Sequence, residues 1–124
     1  MAWRSAAGKA PCSAMPAPAT TISDYALATD LDGTLLPLPG EPLQRWALAR
    51  LKFLLGREKI PFLFATGRNF HHAHEAIAEH GTPVPGWIVC NVGTEIYVRA
   101  GDHYVKMDAY DAHLHDFAAG VTTA

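Results

Sequence analysis

The sequence predicts an α/β fold built on a parallel, Rossmann-like sheet. Three observations predict it. Apolar runs at Tyr25–Thr29, Ile60–Ala65 and Trp87–Cys90 carry no charge and read as strands buried on both faces. Stretches of helical spacing separate them, which sets up right-handed strand–helix–strand crossovers. Polar residues of the Asp, Thr, Gly and Asn types follow each run directly. In open α/β sheets ligands sit beyond the carboxyl ends of the strands, so these residues share one candidate binding edge.

The chain has 124 residues, the size of one small domain. A hydrophobic content of 49% and a charged content of 18% are globular values. The net charge of −2 gives no electrostatic case for nucleic acid or an anionic membrane surface. No apolar run approaches the length needed to span a bilayer. Cys12 lies in a Pro/Ala-rich tail and Cys90 in an apolar strand. A disulfide framework is therefore not expected, and a reducing compartment, the cytoplasm, fits.

Residues 1–23 are mostly Ala, Pro, Ser and Thr, without periodicity, and read as a disordered extension. The first strand, from Tyr25, runs into Asp30-Leu31-Asp32-Gly33-Thr34. Asp30 and Asp32 point the same way from an extended strand end. Like charges this close favour a shared cation, and a hard Mg²⁺ ion held by carboxylate and backbone oxygens satisfies them. The spacing also suits a division of labour, one carboxylate attacking phosphorus and the other handling the leaving group's proton. Gly33 lets the backbone turn and Thr34 can cap it. The same pattern also reads as a plain solvated acidic turn.

Pro37 to Pro42 is a loop, with Pro42 suited to a helix's first turn. Leu43, Trp46, Ala47, Leu51, Leu54 and Leu55 then recur on one face with Arg50, and Gly56 offers a stop. After the second strand, Thr66-Gly67-Arg68-Asn69 places a hydroxyl and free backbone N–H groups before a helix, an anion site or a simple helix cap. That helix takes its core stripe from Phe70, Ala73 and Ile77. Its histidines, His71, His72, His74 and His80, lack the partners of a tetrahedral metal site and read as a solvated face. Asn91-Val92-Gly93 follows the third strand. Glu95–Arg99 and His103–Lys106 then alternate around a Gly-Asp turn as a β-hairpin. Asp108 to Ala119 reads as a helix, N-capped by Asp108 and stopped by Gly120.

Thr29-Asp30-Leu31-Asp32-Gly33-Thr34-Leu35-Leu36 resembles the first motif of the haloacid dehalogenase (HAD) superfamily. Phe64-Ala65-Thr66-Gly67-Arg68 resembles its second motif, and Asn91-Val92-Gly93-Thr94-Glu95-Ile96-Tyr97 is similar to the sucrose-phosphate-phosphatase branch and its Cof-like relatives. The resemblance covers roughly residues 24–100, with the motifs in family order. It implies an Mg²⁺-dependent phosphomonoester hydrolase working through an aspartyl-phosphate. Asp30 is then the nucleophile and Asp32 the proton donor, kept protonated by its neighbours. Both belong to the metal site, which also uses the Asp32 carbonyl. Gly33, Thr66 and Gly67 hold the phosphoryl group, while Arg68, Asn91 and Gly93 are substrate-side candidates. The substrate is a small phosphorylated metabolite such as a sugar phosphate.

The resemblance also implies two pieces that this sequence lacks: a Lys beside the phosphoryl group and a later Gly-Asp-x-x-x-Asp motif. Gly101-Asp102 and Lys106 come too early to supply them. The expected organisation is thus an extension (1–23), the N-terminal part of a HAD core with its first three strands (24–100), and the truncated start of a cap (101–124). Such a piece would leave Tyr25–Thr29 on an exposed apolar edge, and alone it would turn over little phosphate ester. The other reading is a non-catalytic binding or regulatory remnant of the fold.

Overall fold

The computed structural model describes residues 2–4 and 24–121. Its sheet has six strands in sequential order. These are β1 (Ala2–Arg4), β2 (Tyr25–Thr29), β3 (Phe62–Ala65), β4 (Trp87–Cys90), β5 (Glu95–Ala100) and β6 (His103–Lys106). Helices α1 (Pro42–Glu58) and α2 (Phe70–His80) connect β2 to β3 and β3 to β4, and α3 (Asp108–Ala119) follows β6. The three expected strands pair in parallel, with Thr29 opposite Phe64 and Ala65 opposite Val89.

The sheet is mixed at its flanks. β1 pairs antiparallel with β2, Arg4 opposite Tyr25. Ala2–Arg4 of the expected extension form this strand; residues 1 and 5–23 lie outside the described residues. An open strand edge presents unpaired N–H and C=O groups, and a nearby extended segment satisfies them. The β5–β6 hairpin forms as expected, with Gly101 at φ +68 in its turn. It does not stand apart from the core, because β5 pairs antiparallel with β4 from Cys90–Glu95 to Trp87–Val98.

The core lies on one face of the sheet. Phe62, Phe64, Ile88 and Cys90 from alternate strand positions meet Leu31, Leu55 of α1, and Ala73 and Ala76 of α2. Phe64, Ile88, Ala73 and Ala76 are fully buried, and the rings of Phe62 and Phe64 meet edge-on at 5.4 Å. Small side chains let α2 approach the sheet closely, and Phe70 at its start stacks on Tyr97 of β5 at 4.0 Å. Positions of the other parity are less covered: Leu63, Trp87, Val89 and Ile96 are half-buried and Ala65 is exposed, with Val98 the buried exception. The sequence reading of strands buried on both faces is thus corrected for that face.

Two helix boundaries also differ from expectation. α1 runs through Gly56 and stops at Lys59, whose left-handed backbone (φ 51) lets its N–H reach the Leu55 carbonyl. Its buried residues are Leu48 and Leu55, whereas Leu43 and Trp46 are 76% and 69% exposed. The expected stripe lies about a quarter-turn off, because Trp46 and Phe53 add apolar surface on the side of α1 away from its leucines. In α3 the cap position is Met107, without a side-chain bond, and Asp108 lies in the first turn. A carboxylate there still favours the positive end of the helix dipole.

Candidate active site

The parallel register brings three connections to one rim. Asp30 follows Thr29, which lies opposite Phe64, and Thr66 lies two residues beyond Phe64. The Thr66 N–H donates to the Val89 carbonyl at 2.9 Å, and the Asn91 N–H donates to the Arg68 carbonyl at 2.8 Å. The turns after β2, β3 and β4 are therefore neighbours; backbone bonds hold the last two together, and the first is set beside them by the β2–β3 register.

In the first turn, Leu31–Leu35, Asp30 takes the cap position and one carboxylate oxygen accepts the Leu31 N–H at 2.7 Å. Leu31 is fully buried and anchors the turn in the core. Gly33 sits at φ +72, a left-handed position that Gly takes without a Cβ penalty, as the sequence suggests. Asp30 and Asp32 both stay exposed to solvent. A cavity of about 300 Å³ lies behind this turn, between Gly33–Leu36 and Leu48 and Leu51 of α1. Neither carboxylate lines it, so the acidic groups face an open rim.

The second turn contributes Thr66, which is 5% exposed. Its hydroxyl oxygen accepts the Arg68 N–H at 3.2 Å, and Asn69 caps α2 by accepting the His72 N–H at 3.0 Å. Thr66 is thus a turn former and Asn69 the helix cap; the Thr66 hydroxyl proton stays available to an anion. The Arg68 guanidinium grips Asp32 with two donors of one edge, Nε to Oδ2 at 2.8 Å and Nη2 to Oδ1 at 2.6 Å. A two-pronged ionic bond of this kind holds the Asp32 carboxyl below the usual carboxylate range and raises Arg68. The expectation that Asp32 is kept protonated is therefore corrected: beside Arg68 it is ionised.

The third turn is strained. Asn91, Val92 and Gly93 have φ of 49, 58 and 86. A left-handed β-branched residue such as Val92 costs roughly 1–2 kcal/mol, and its side chain is 85% exposed. A Cβ on Gly67 would sit 3.9 Å from Val92 Cγ2, an ordinary contact, so Gly67 is not sterically obligatory.

A network missed by the sequence reading holds this turn. The Asn91 side-chain amide donates to Glu95 Oε2 at 2.9 Å, and the Tyr110 hydroxyl of α3 donates to the Gly93 carbonyl at 2.7 Å. Lys106 bridges Glu95 at 3.4 Å and Asp111 at 2.7 Å. Asp111 foremost raises the Lys106 pKa, so this amine is fully committed as a cation. Burial, then the Glu95 charge, pushes the Cys90 thiol up to about 11, which makes it an inert core residue. The available signal was Glu95 inside the third motif, two residues before Tyr97, which lies opposite Lys106, and so on the same face of the hairpin in the period-2 pattern.

Among the described residues no group of three His, Cys, Asp or Glu side chains could hold a metal. The α2 histidines behave as a surface set: His71 pairs with Glu75 at 3.1 Å, both well exposed. No described helix is long and apolar enough to cross a membrane.

The rim thus carries two carboxylates, a Thr and an Arg from the first two turns, with a left-handed Asn-Val-Gly turn beside them. The sequence profile of sucrose-6F-phosphate phosphohydrolase matches residues 23–120. The chain belongs to this family. It is 37% identical over 98 residues to a HAD-like hydrolase of Nitrosococcus oceani, covering 79% of this chain and 26% of that protein. The sucrose-phosphatase of Synechocystis, solved with sucrose and phosphate, superposes with a TM-score of 0.59 at 27% identity over 72% of this chain and 33% of that one. A HAD-like hydrolase of Bacillus subtilis superposes at 0.63 and shares the fold at 15% identity, covering 77% of this chain and 36% of that one. This sucrose-phosphatase-like chain therefore spans about a quarter to a third of the length of these relatives.

Proposed function

We propose that the chain carries the nucleophile-bearing part of a HAD-type phosphomonoester hydrolase acting on a sugar phosphate. One observation carries the reading. The paired β2 and β3 ends put Asp30 and Asp32 at the same rim as Thr66, with Arg68 bridging the two turns. The sugar-phosphate class is supported by the sucrose and phosphate bound to the Synechocystis relative.

The residues present fit part of an Mg²⁺ shell. Mg²⁺ typically takes one or two carboxylates and fills its octahedron with water and substrate oxygens. Asp30 uses one carboxylate oxygen on the Leu31 N–H, and its second oxygen, with the Asp32 carbonyl, offers the ligands. When bound, the ion would screen phosphate charge from the attacking carboxylate.

The chain's own groups then divide the work. Asp30 attacks phosphorus in line; its Oδ–P bond forms as the ester P–O bond breaks, leaving an aspartyl-phosphate. The Thr66 hydroxyl and the amides of the Gly33 and Gly67 turns hold the equatorial oxygens, where charge accumulates. Asp32 hands a proton to the leaving oxygen and takes one back from the hydrolytic water. The donating step requires a protonated Asp32 and hence release from Arg68. Asn91 and Gly93 border the entrance on the substrate side. By itself the chain turns over little substrate, since the cation and further acids of the family's site are not among its described residues.

Grafting tests the reading. Residues 23–120 replace the matching segment of the Synechocystis sucrose-phosphatase, and phosphate release from sucrose phosphate is measured. The chimera is expected to be active and its Asp30→Asn variant to lose several orders of magnitude in kcat. An Asp30→Asn chimera as active as its parent would remove Asp30 from the nucleophile role.

A further inference from the structure

We propose that Arg68 is an exchangeable anion receptor, its guanidinium resting on Asp32 in the ligand-free chain and moving onto the phosphoryl group when that anion enters the rim. This rests on the phosphate-site reading above and names how the site is readied.

The guanidinium is already set for the exchange. It binds Asp32 through Nε and Nη2 on two separate oxygens, the same fork that matches two oxygens of a phosphate. The pair is not locked in place. Its side chains are 30% exposed for Arg68 and 57% for Asp32, so solvent and an entering anion can reach both partners. Nη1 has only a long contact, 3.5 Å to the His72 carbonyl. The backbone, by contrast, is pinned: the Arg68 N–H on Thr66 Oγ1 and the Arg68 carbonyl on the Asn91 N–H. Motion is thus confined to the side chain, with its root beside the Thr66 hydroxyl.

Charge balance calls for such a group. A phosphate dianion approaching this rim meets Asp30 and Asp32. The other cations with described ion pairs are engaged elsewhere, Lys106 with Glu95 and Asp111, and Arg57 with Glu58. Arg68 is the described cation in contact with the first-motif turn. Its transfer delivers one positive charge to the incoming anion and releases Asp32 in the same movement. No bond is made or broken covalently.

The test follows the Arg68 side chain during a titration of the full chain with inorganic phosphate in Mg²⁺ buffer. The Nε–H resonance is read by ¹⁵N NMR in the wild type and in Asp32→Asn. In the free proteins the resonance differs between the two, because only one offers Asp32 as acceptor. At phosphate saturation the two converge on one position, because both guanidinium groups then rest on phosphate. Calorimetry alongside shows binding weakened about tenfold by Arg68→Gln, the loss of one charge-assisted pair. An Nε–H resonance that stays at its free position while phosphate saturates the chain makes Arg68 a fixed brace and overturns the proposal, leaving the phosphate site intact. Absence of phosphate binding in every form overturns the proposal together with the site reading beneath it.

Discussion

The two faces of the sheet differ more than any two elements of the chain. On one, Phe64, Ile88 and Cys90 are fully buried beneath α1 and α2. On the other, Leu63, Trp87 and Val89 alternate with them in the same strands yet stay half-open. The side chains are equally apolar, so composition does not explain the difference; the placement of helices does. A buried face fixes register, because a slip of one residue would exchange it for the open face. The rim geometry inherits that register. Thr29 opposite Phe64 is what sets the Asp30 turn beside Thr66.

The contrast is broken most directly by paired truncations. Phe64→Ala removes a fully buried ring that meets Phe62 edge-on, and is expected to cost about 3–5 kcal/mol. Leu63→Ala, one residue away on the open face, should cost roughly 1–2 kcal/mol, since a half-exposed side chain has less transfer energy to lose. Urea denaturation of both variants checks the pair. Equal costs would mean that the second face is as well packed as the first.

A cap comes next. Asn69→Ala frees the His72 N–H at the start of α2 and is expected to cost about 1 kcal/mol, read as a shift in the urea midpoint. The same substitution tests whether the α2 start, and not Thr66, carries the capping.

Smallest is the charge pair that joins the two turns. Arg68 lowers the folded-state pKa of Asp32 below its ordinary value of 3.8. A depressed carboxyl contributes stability that is present above the unfolded pKa and lost as pH falls through the folded one. The pair's contribution is expected to be at most about 1 kcal/mol, given its exposure. Asp32→Asn should therefore lower stability by up to that amount in the neutral region and flatten the acid limb below about pH 4, where the two proteins converge. An unchanged acid limb would place Asp32 outside the pair in solution.

The same contrast explains what the sequence could disclose. Strand positions, their order and the rim motifs were legible because they depend on local pattern: charge-free runs followed at once by Asp, Thr and Asn. The coverage of each face was not, since Leu63 and Phe64 look alike until helices are placed over one of them. The orientation of α1 failed for a related reason. Trp46 and Phe53 put large apolar side chains on the side of the helix away from its leucines, so periodicity could not choose Leu48 over Trp46. At the site, the residue types were readable but their partners were not. Arg68 reaches Asp32 across 36 positions of sequence, and that pairing reverses the protonation expected for Asp32. The Glu95–Lys106–Asp111 network was likewise hidden, because the α3 position of Asp111 relative to the hairpin is tertiary information.

The central claim is that Asp30 is a phosphate-reactive carboxylate on an assembled rim. Beryllium trifluoride forms an acyl-phosphate mimic on such a carboxylate, and ¹⁹F NMR of the chain with beryllium, fluoride and Mg²⁺ detects it directly. A bound ¹⁹F signal is predicted for the wild type and for Asp32→Asn, and its loss for Asp30→Asn. A signal that persists in Asp30→Asn, or none in the wild type, would contradict the account.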